Sequence, residues 1–303
     1  MNDIKKACEI LLSGGVVGIP TETVYGLAAS IESQTGIDRI FSTKERPFFD
    51  PLIVHVSSIN QAKEYTSNWN NLCEVLAKEL WPGAVTLIVP KNDLISSKIT
   101  SGLDTVGLRM PNHPMALELI EKLGHPVAAP SANKFKKTSP TSSEHVEIEF
   151  PEITVLDGGP CEIGIESTVL GIFDSEIKIY RPGMITKEHL LEILNDHKVT
   201  IEYVESPVAP GHLKHHYMPK LPVIVQIAES TFDQIPEHLL TNHIHWPLPA
   251  LAHQAARELY SKFREFDLKE YSSILITVTP EQLQKEDFKG ILNRLEKAAT
   301  IFI

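Results

Sequence analysis

Apolar positions three and four apart open the chain. Ile4, Ala7, Cys8 and Leu11 fall on one face of a helix over 3–13, and Gly14-Gly15 ends it. Short apolar runs then recur at 16–19 (VVGI), 52–56 (LIVHV), 84–89 (AVTLIV), 105–110 (TVGLRM), 126–130 (PVAAP), 153–156 (ITVL), 167–173 (STVLGIF) and 176–180 (EIKIY). Their length and their turn-forming neighbours predict strands. Helical patterns separate several of them, at about 36–43, 70–80, 114–123 and 187–195. Strands mixed with helices in this way predict an α/β domain. The early strands are separated by helices and the later ones follow closely, so the expected sheet is mixed, not purely parallel.

The rhythm breaks at 206–219, SPVAPGHLKHHYMP, where three prolines and a glycine disfavour helix and central strand alike. This stretch reads as a linker. Beyond it come an apolar strand (LPVIVQI), a helix near 247–265, another strand (SILITV) and a last helix near 287–299. That is a second, small α/β unit. The expected division is 1–205, 206–219 and 220–303, and 303 residues suit two domains.

Composition narrows the class. Hydrophobic residues at 42% and charged residues at 22% give a globular balance with enough apolar material for a core. No apolar run approaches the ~20 residues needed to cross a bilayer, and the N-terminus lacks a signal-peptide pattern. A cytoplasmic protein with no membrane partner is expected. The net charge of -11 argues against a dedicated nucleic-acid binder, which carries a basic excess to meet phosphates. Cys8, Cys73 and Cys161 form no CxxC, so neither a disulfide framework nor a zinc site is expected.

Standard motifs are missing: no GxxxxGK[ST], GxGxxG, GxSxG or HExxH occurs. The chemistry must lie in the strand ends. After Val16–Ile19 and Pro20 come Thr21, Glu22, Thr23 and Tyr25, an unusual density of hydroxyls for a plain turn. Lys44 and Arg46 precede a strand and read either as a phosphate clamp or as a solvated helix end. His55 sits in an apolar strand and reads as a core histidine or a ligand. Arg109 ends a strand and reads as a cleft residue or an edge charge. Ser131, Asn133 and Ser139 follow the run at 126–130, and Lys134, Lys136 and Lys137 lie among them. Small hydroxyls and exposed N–H groups at a strand end suit an anion, or simply a polar surface loop with Thr141 or Ser142 capping the next helix. Ser167 enters a strand and Arg181 ends the next one. Strand ends of one sheet converge, so Thr21/Thr23, Lys44/Arg46, Thr105/Arg109, Ser131/Asn133 and Ser167/Arg181 together predict a polar, electropositive cleft for an anionic small molecule. His212, His215 and His216 lack a carboxylate partner, and no metal site is expected.

The segments PTETVYGL, KERPFFDPLIVHV, WPGAVTLIV, VGLRMPNHP, APSAN and GIESTVL with YRPG resemble, in order and spacing over about 5–195, the YrdC-type threonylcarbamoyl-AMP synthase family. The family's KxR and SxN signatures appear as Lys44/Arg46 and Ser131/Asn133. The linker and the tail GILNRLEKAAT are similar to those of its longer, two-domain branch. The resemblance implies a twisted mixed-sheet YrdC-like domain with an open polar cleft, followed by a small Rossmann-like α/β domain. It implies a nucleotidyltransferase that converts L-threonine, bicarbonate (or CO2) and ATP, with Mg2+, into threonylcarbamoyl-AMP and pyrophosphate. A downstream transferase complex would use the product to modify a tRNA adenosine beside the anticodon. By resemblance Lys44, Arg46, Ser131 and Asn133 are catalytic. Arg46, Asp50, Thr105, Ser131, Ser139, Arg181 and Tyr217 hold ATP, and Thr23, His55, Arg109, Ala129 and Ser167 hold threonine. The chain departs from the family in Asp50, where Asn is common, in the linker's APGH, and in a shortened second domain. The alternative is an RNA-binding or regulatory module of the same fold using Lys134, Lys136 and Lys137, with at most a weak tRNA contact. A carbamoyl-transfer domain like that of hydrogenase maturation factors lacks its acylphosphatase-like and zinc-finger segments here.

Overall fold

A computed structural model describes residues 2–204, 215–228 and 235–303. The expected linker at 206–219 lies outside the described residues up to 214. Ten strands build the first sheet: β1 (Val17–Ile19), β2 (Gly26–Ser30), β3 (Ile53–His55), β4 (Val85–Pro90), β5 (Thr105–Arg109), β6 (Val127–Ala128), β7 (Thr154–Val155), β8 (Thr168–Ile172), β9 (Glu176–Arg181) and β10 (Thr200–Tyr203). Their order is β10-β9-β8-β4-β5-β3-β6-β2-β1-β7. The sheet is mixed, as the spacing predicted. β3 and β5 run parallel, with His55 opposite Arg109, whereas β4 and β5, β3 and β6, and β2 and β6 are antiparallel.

Seven helices accompany this sheet: α1 (Asn2–Leu12), α2 (Gln34–Lys44), α3 (Ile59–Glu64), α4 (Asn71–Leu80), α5 (Pro114–Leu123), α6 (Ser143–Glu149) and α7 (Lys187–Ile193). Side-chain caps start most of them. Ser33, Ser58, Asn70, Ser142 and Thr186 each accept a first-turn N–H that the helix itself leaves without a partner. The predicted face of α1 packs on α5 and β1, with Ile4, Ala7 and Leu11 against Leu119, Ile120 and Val17. Strand β2 escaped the sequence reading because its residues, GLAAS, are small and weak strand formers. They are strand because both neighbours, β1 and β6, pair with them.

The second lobe is a four-stranded parallel sheet of β11 (Val223–Ile227), β12 (His243–Pro247), β13 (Ser273–Val278) and β14 (Ile301–Phe302), in the order β12-β13-β11-β14. Helices α8 (Glu237–Leu240), α9 (Ala252–Asp267), α10 (Pro280–Gln284) and α11 (Lys289–Ala298) complete it. Helix α9 starts at 252, not near 247, because Pro247 and Pro249 cannot sit in a helix interior. Its inner face buries Ala255, Leu259, Tyr260, Phe263 and Phe266.

The lobes share one apolar core. Val24 and Ile165 of the first lobe cluster with Tyr217 of the linker and with Leu259, Tyr260 and Leu295 of the second lobe. The backbones approach very closely at the seam. A Cβ on Gly164, whose φ is +89°, would lie 2.5 Å from the Ala256 carbonyl oxygen. A Cβ on Gly290 of α11 would lie 2.8 Å from the Gly183 carbonyl oxygen. Glycine is the residue that permits such contact.

Candidate active site

Where the lobes meet, a cavity opens between the strand ends. Thr21, Thr23, Arg46, His55, Arg109, Ala129, Ser131, Glu166, Arg181, His216 and Tyr217 are among its walls. The hydroxyl-rich turn after β1 explains itself here. Thr21 Oγ1 accepts from the backbone N–H groups of Thr23 and Val24, at 3.2 Å each, and donates to the Val24 carbonyl at 2.6 Å. Thr21 therefore shapes the turn, and the Thr23 hydroxyl, 2.9 Å from it, is presented to the cavity. Tyr25 donates its hydroxyl to the Gly159 carbonyl at 2.7 Å and accepts from Gly158 N–H at 3.0 Å, fixing the glycine loop.

Arg109, at the end of β5, pairs with Glu22 at 2.8 Å, both side chains being buried. The sequence reading passed over Glu22. A carboxylate between two threonines at a strand end needs a buried cation, and that is the signal that finds it. His55 lies beside Arg109 in register. Burial, with help from the Arg109 charge, pulls its pKa down to about 3, so its imidazole is neutral over the physiological range.

The two cations at the end of α2 divide the work expected of them. The helix ends as Glu45 takes a left-handed conformation (φ 54°). Arg46 lines the cavity, pairs with Asp50 at 2.9 Å and donates to the Pro51 carbonyl at 2.9 Å. Lys44 does not line it. Its ammonium donates to the Ser131 carbonyl at 2.5 Å and to the Asn133 carbonyl. Burial and the Arg46 charge pull Lys44 well below the ordinary lysine range. Asn133 likewise turns inward, donating to the Lys134 and Lys137 carbonyls at 2.7 and 2.8 Å. Lys44 and Asn133 therefore hold the turn that presents Ser131, a different placement from a two-cation clamp reaching into the cleft.

Ser167 is engaged with Thr86 at 2.8 Å and with Arg181, which donates to its carbonyl and its hydroxyl at 3.1 Å each. Thr105 is at the far end of β5 from Arg109. It lines a smaller neighbouring cavity that shares Pro51 and Ile53 with the main one. Ser139 Oγ donates to Glu166 Oε1 at 2.6 Å. Glu166, also missed in the sequence although it stands in GIEST, lines the cavity as an ionised carboxylate. Burial alone would raise its pKa, but Arg294, Arg181 and the Ser139 hydrogen bond hold it at about 2. Lys134 of the basic run is paired with Glu45 at 2.7 Å. Among the described residues no group of three or more His, Cys, Asp or Glu is placed to hold a metal ion. Asp50 and Glu166, the carboxylates beside Arg46 and Arg181, both face arginines.

From the described part of the linker, His216 and Tyr217 enter the cavity wall with ring centroids 4.2 Å apart. Tyr217 has a positive φ of 64° and a buried hydroxyl with no hydrogen-bond partner. A strained, orphaned polar group in a cavity wall marks a binding site. His216, considered in the sequence only as a metal candidate, is buried, and that burial lowers its pKa to about 3.

Comparison with known proteins places this geometry. A sequence model of a family described as "Telomere recombination" matches residues 9–183, and one described as the threonylcarbamoyl-AMP synthase C-terminal domain matches 185–300. The chain belongs to the threonylcarbamoyl-AMP synthase family. It is 41% identical over 246 residues to the threonylcarbamoyl-AMP synthase of Bacillus subtilis, covering 79% of this chain and 70% of that protein. It is 40% identical over 228 residues to that of Pyrococcus abyssi, covering 73% and 67%. The crystal structure of P. abyssi Sua5 complexed with L-threonine superposes with a TM-score of 0.88 at 33% identity, covering 99% of this chain and 96% of that one. The family and the two-sheet α/β architecture agree with the expectation drawn from the motifs. No helix among the described residues is long and apolar enough to cross a membrane.

Proposed function

We infer that the protein makes threonylcarbamoyl-AMP and pyrophosphate from L-threonine, bicarbonate or CO2, and ATP. The observation that carries this is the gathering of three buried arginines, Arg46, Arg109 and Arg181, around one small cavity in a chain of this family. Such a wall suits two anionic substrates held side by side. Arg109, with neutral His55, the Thr23 hydroxyl, Ser167 and the Ala129 surface, takes threonine, its guanidinium meeting the carboxylate. Arg46, Arg181, Ser131 and Tyr217 take ATP, which brings Mg2+ with it as part of the substrate. Lys44, Asn133, Asp50 and Ser139 set those contacts from behind, and Thr105 acts from the neighbouring cavity. The threonine amine, deprotonated by bicarbonate or water, adds to CO2 and gives up a second proton to the same acceptor, leaving a carbamate. A carbamate oxygen attacks the α-phosphorus, and pyrophosphate leaves. The residues supply positioning and charge neutralisation, which this chemistry chiefly needs. A transferase acting on a tRNA adenosine then consumes the labile product. With Lys134 already paired, no observation favours the RNA-binding alternative.

The direct test is pyrophosphate release. It is expected only when ATP, threonine and bicarbonate are all present, and release without threonine overturns the reading. Two substitutions divide the site. Arg109→Ala is expected to raise the threonine KM by about a hundredfold or more, with the ATP KM within about threefold, because a buried charge-assisted contact is lost. It also strands Glu22, so Arg109→Ala/Glu22→Gln should recover thermal stability without recovering threonine affinity. Tyr217→Ala is expected to weaken ATP binding about tenfold in calorimetry and leave threonine binding unchanged, given typical aromatic contact energies. Equal loss of both substrates would assign Tyr217 to packing alone.

A further inference from the structure

We propose that Arg294, on α11 of the second lobe, is a positioning residue for the nucleotide, acting through Glu166. The proposal rests on the reading of the cavity as the ATP site. Glu166 is the puzzle that leads to it: a carboxylate in the wall of a cavity whose other charges are arginines. Left alone, it would repel a triphosphate. It is not left alone, because its Oε2 accepts from Arg294 Nε at 2.9 Å and from the Tyr260 hydroxyl at 3.0 Å. Both partners come from the second lobe. Its Oε1 accepts from Ser139 at 2.6 Å.

Arg294 is fully buried, and its planar fork reaches across to the first lobe while Nη1 also donates to the Gly290 carbonyl and Asn293 Oδ1 of its own helix, at 3.3 and 3.4 Å. Nη2 donates to the Glu166 carbonyl at 3.2 Å, and Nη1 donates to the Pro182 carbonyl. Lysine, a single point donor, cannot span these acceptors at once. The same guanidinium lies 5.4 Å from the Tyr217 ring, which faces the cavity. One cation from the second lobe therefore neutralises a wall carboxylate, fixes the hydroxyl of Ser139 through it, and supports the aromatic beside it. The second lobe thus completes the nucleotide half of the site electrically, without touching the substrate.

The test measures ATP and threonine binding separately by calorimetry, with wild-type turnover as the control on the underlying reading. If the wild-type protein makes no threonylcarbamoyl-AMP, the functional reading fails. If it does, the variants decide the proposal. Arg294→Gln is expected to weaken ATP binding about tenfold or more, by removing the ion-pair partner of a buried carboxylate and leaving it only the Ser139 and Tyr260 hydrogen bonds and the charge of Arg181, with threonine affinity within about twofold. Adding Glu166→Gln should restore ATP affinity to within about threefold of Glu166→Gln alone, since the repelling charge is then gone. A merely structural arginine would give no such rescue. ATP affinity unchanged in folded Arg294→Gln, or a loss that Glu166→Gln does not relieve, overturns the proposal. Should Arg294→Gln fail to fold, Arg294→Lys replaces it. Lysine keeps the charge but not the fork, so an ATP-specific weakening of about two- to fivefold is expected, and an unchanged ATP affinity overturns the proposal.

Discussion

Arg46→Ala should abolish measurable threonylcarbamoyl-AMP formation and, separately, cost about 3–5 kcal/mol of stability. The second effect follows from Asp50. The Arg46–Asp50 pair is 2.9 Å long with side chains 6% and 1% exposed, and removing the cation strands a buried carboxylate. The guanidinium also satisfies the Asp50 and Pro51 carbonyls at 3.1 and 2.9 Å, which would be left without it. The first effect follows from its place in the cavity wall. A double variant, Arg46→Ala/Asp50→Ala, separates the two. It should melt above Arg46→Ala but below the wild type, because the stranded charge is gone while the Asp50 and Pro51 carbonyls stay unpaired, and it should still be inactive, because the reaction needs the cation. An active double variant would show that Arg46 serves the fold and not the nucleotide.

The protein should lose stability steeply on mild acidification, starting below about pH 6.5. His55 and His216 are buried, and burial, reinforced by Arg109 for His55, lowers each to about 3. Near His216, Glu166 pulls upward while Arg46, Lys44 and Lys297 push down, and burial outweighs them all. Unfolded histidines titrate near pH 6.5, so between about 6.5 and 3 the unfolded chain binds protons that the native one refuses. Each histidine then removes about 1.4 kcal/mol of stability per pH unit of acidification. Glu166 acts in another window: held at about 2, it contributes stability above its unfolded value, near 4.5, which is lost only as the pH falls toward 2. His145, which burial and the Arg264 charge lower to about 4, adds to the same slope. Denaturant titrations at pH 7.5, 6.5 and 5.5 measure the slope, and His55→Gln should cut it by about a third. A flat profile over this range would show that these histidines accept protons within the folded protein.

The sequence was informative where local pattern and final environment agree. The amphipathic face of α1, the cap of α6, and the apolar runs of β4 and β8 are each read from a few neighbouring residues. Residues whose placement depends on partners far along the chain were not legible in that way. GLAAS becomes strand β2 because of what flanks it. Thr200–Tyr203 becomes edge strand β10 by pairing with β9. The site divides along the same line. Arginines at strand ends announced a cavity, and the structure brings Arg46, Arg109 and Arg181 together in it. Some partners are local, as Asp50 is to Arg46, but others lie far along the chain: Ser131 is 87 residues from Lys44 and Arg294 is 128 from Glu166. Hence Lys44, two residues before Arg46, is a strut for the Ser131 turn.

The contact of Gly183 with Gly290, where a β-carbon on the helix would sit 2.8 Å from a carbonyl oxygen, also bears on how such a molecule changes over time. Two main chains that touch leave no side chain to trim or enlarge when one surface drifts. The halves are therefore not interchangeable parts. A graft of the second half from another protein must bring a glycine at 290, an arginine at 294 and a tyrosine at 260 in the same relative places, or it will stand off from its mate and leave Glu166 bare. The two sheets fit as a matched set, and a substitution on one side of the join is expected to be tolerated according to what the other side carries.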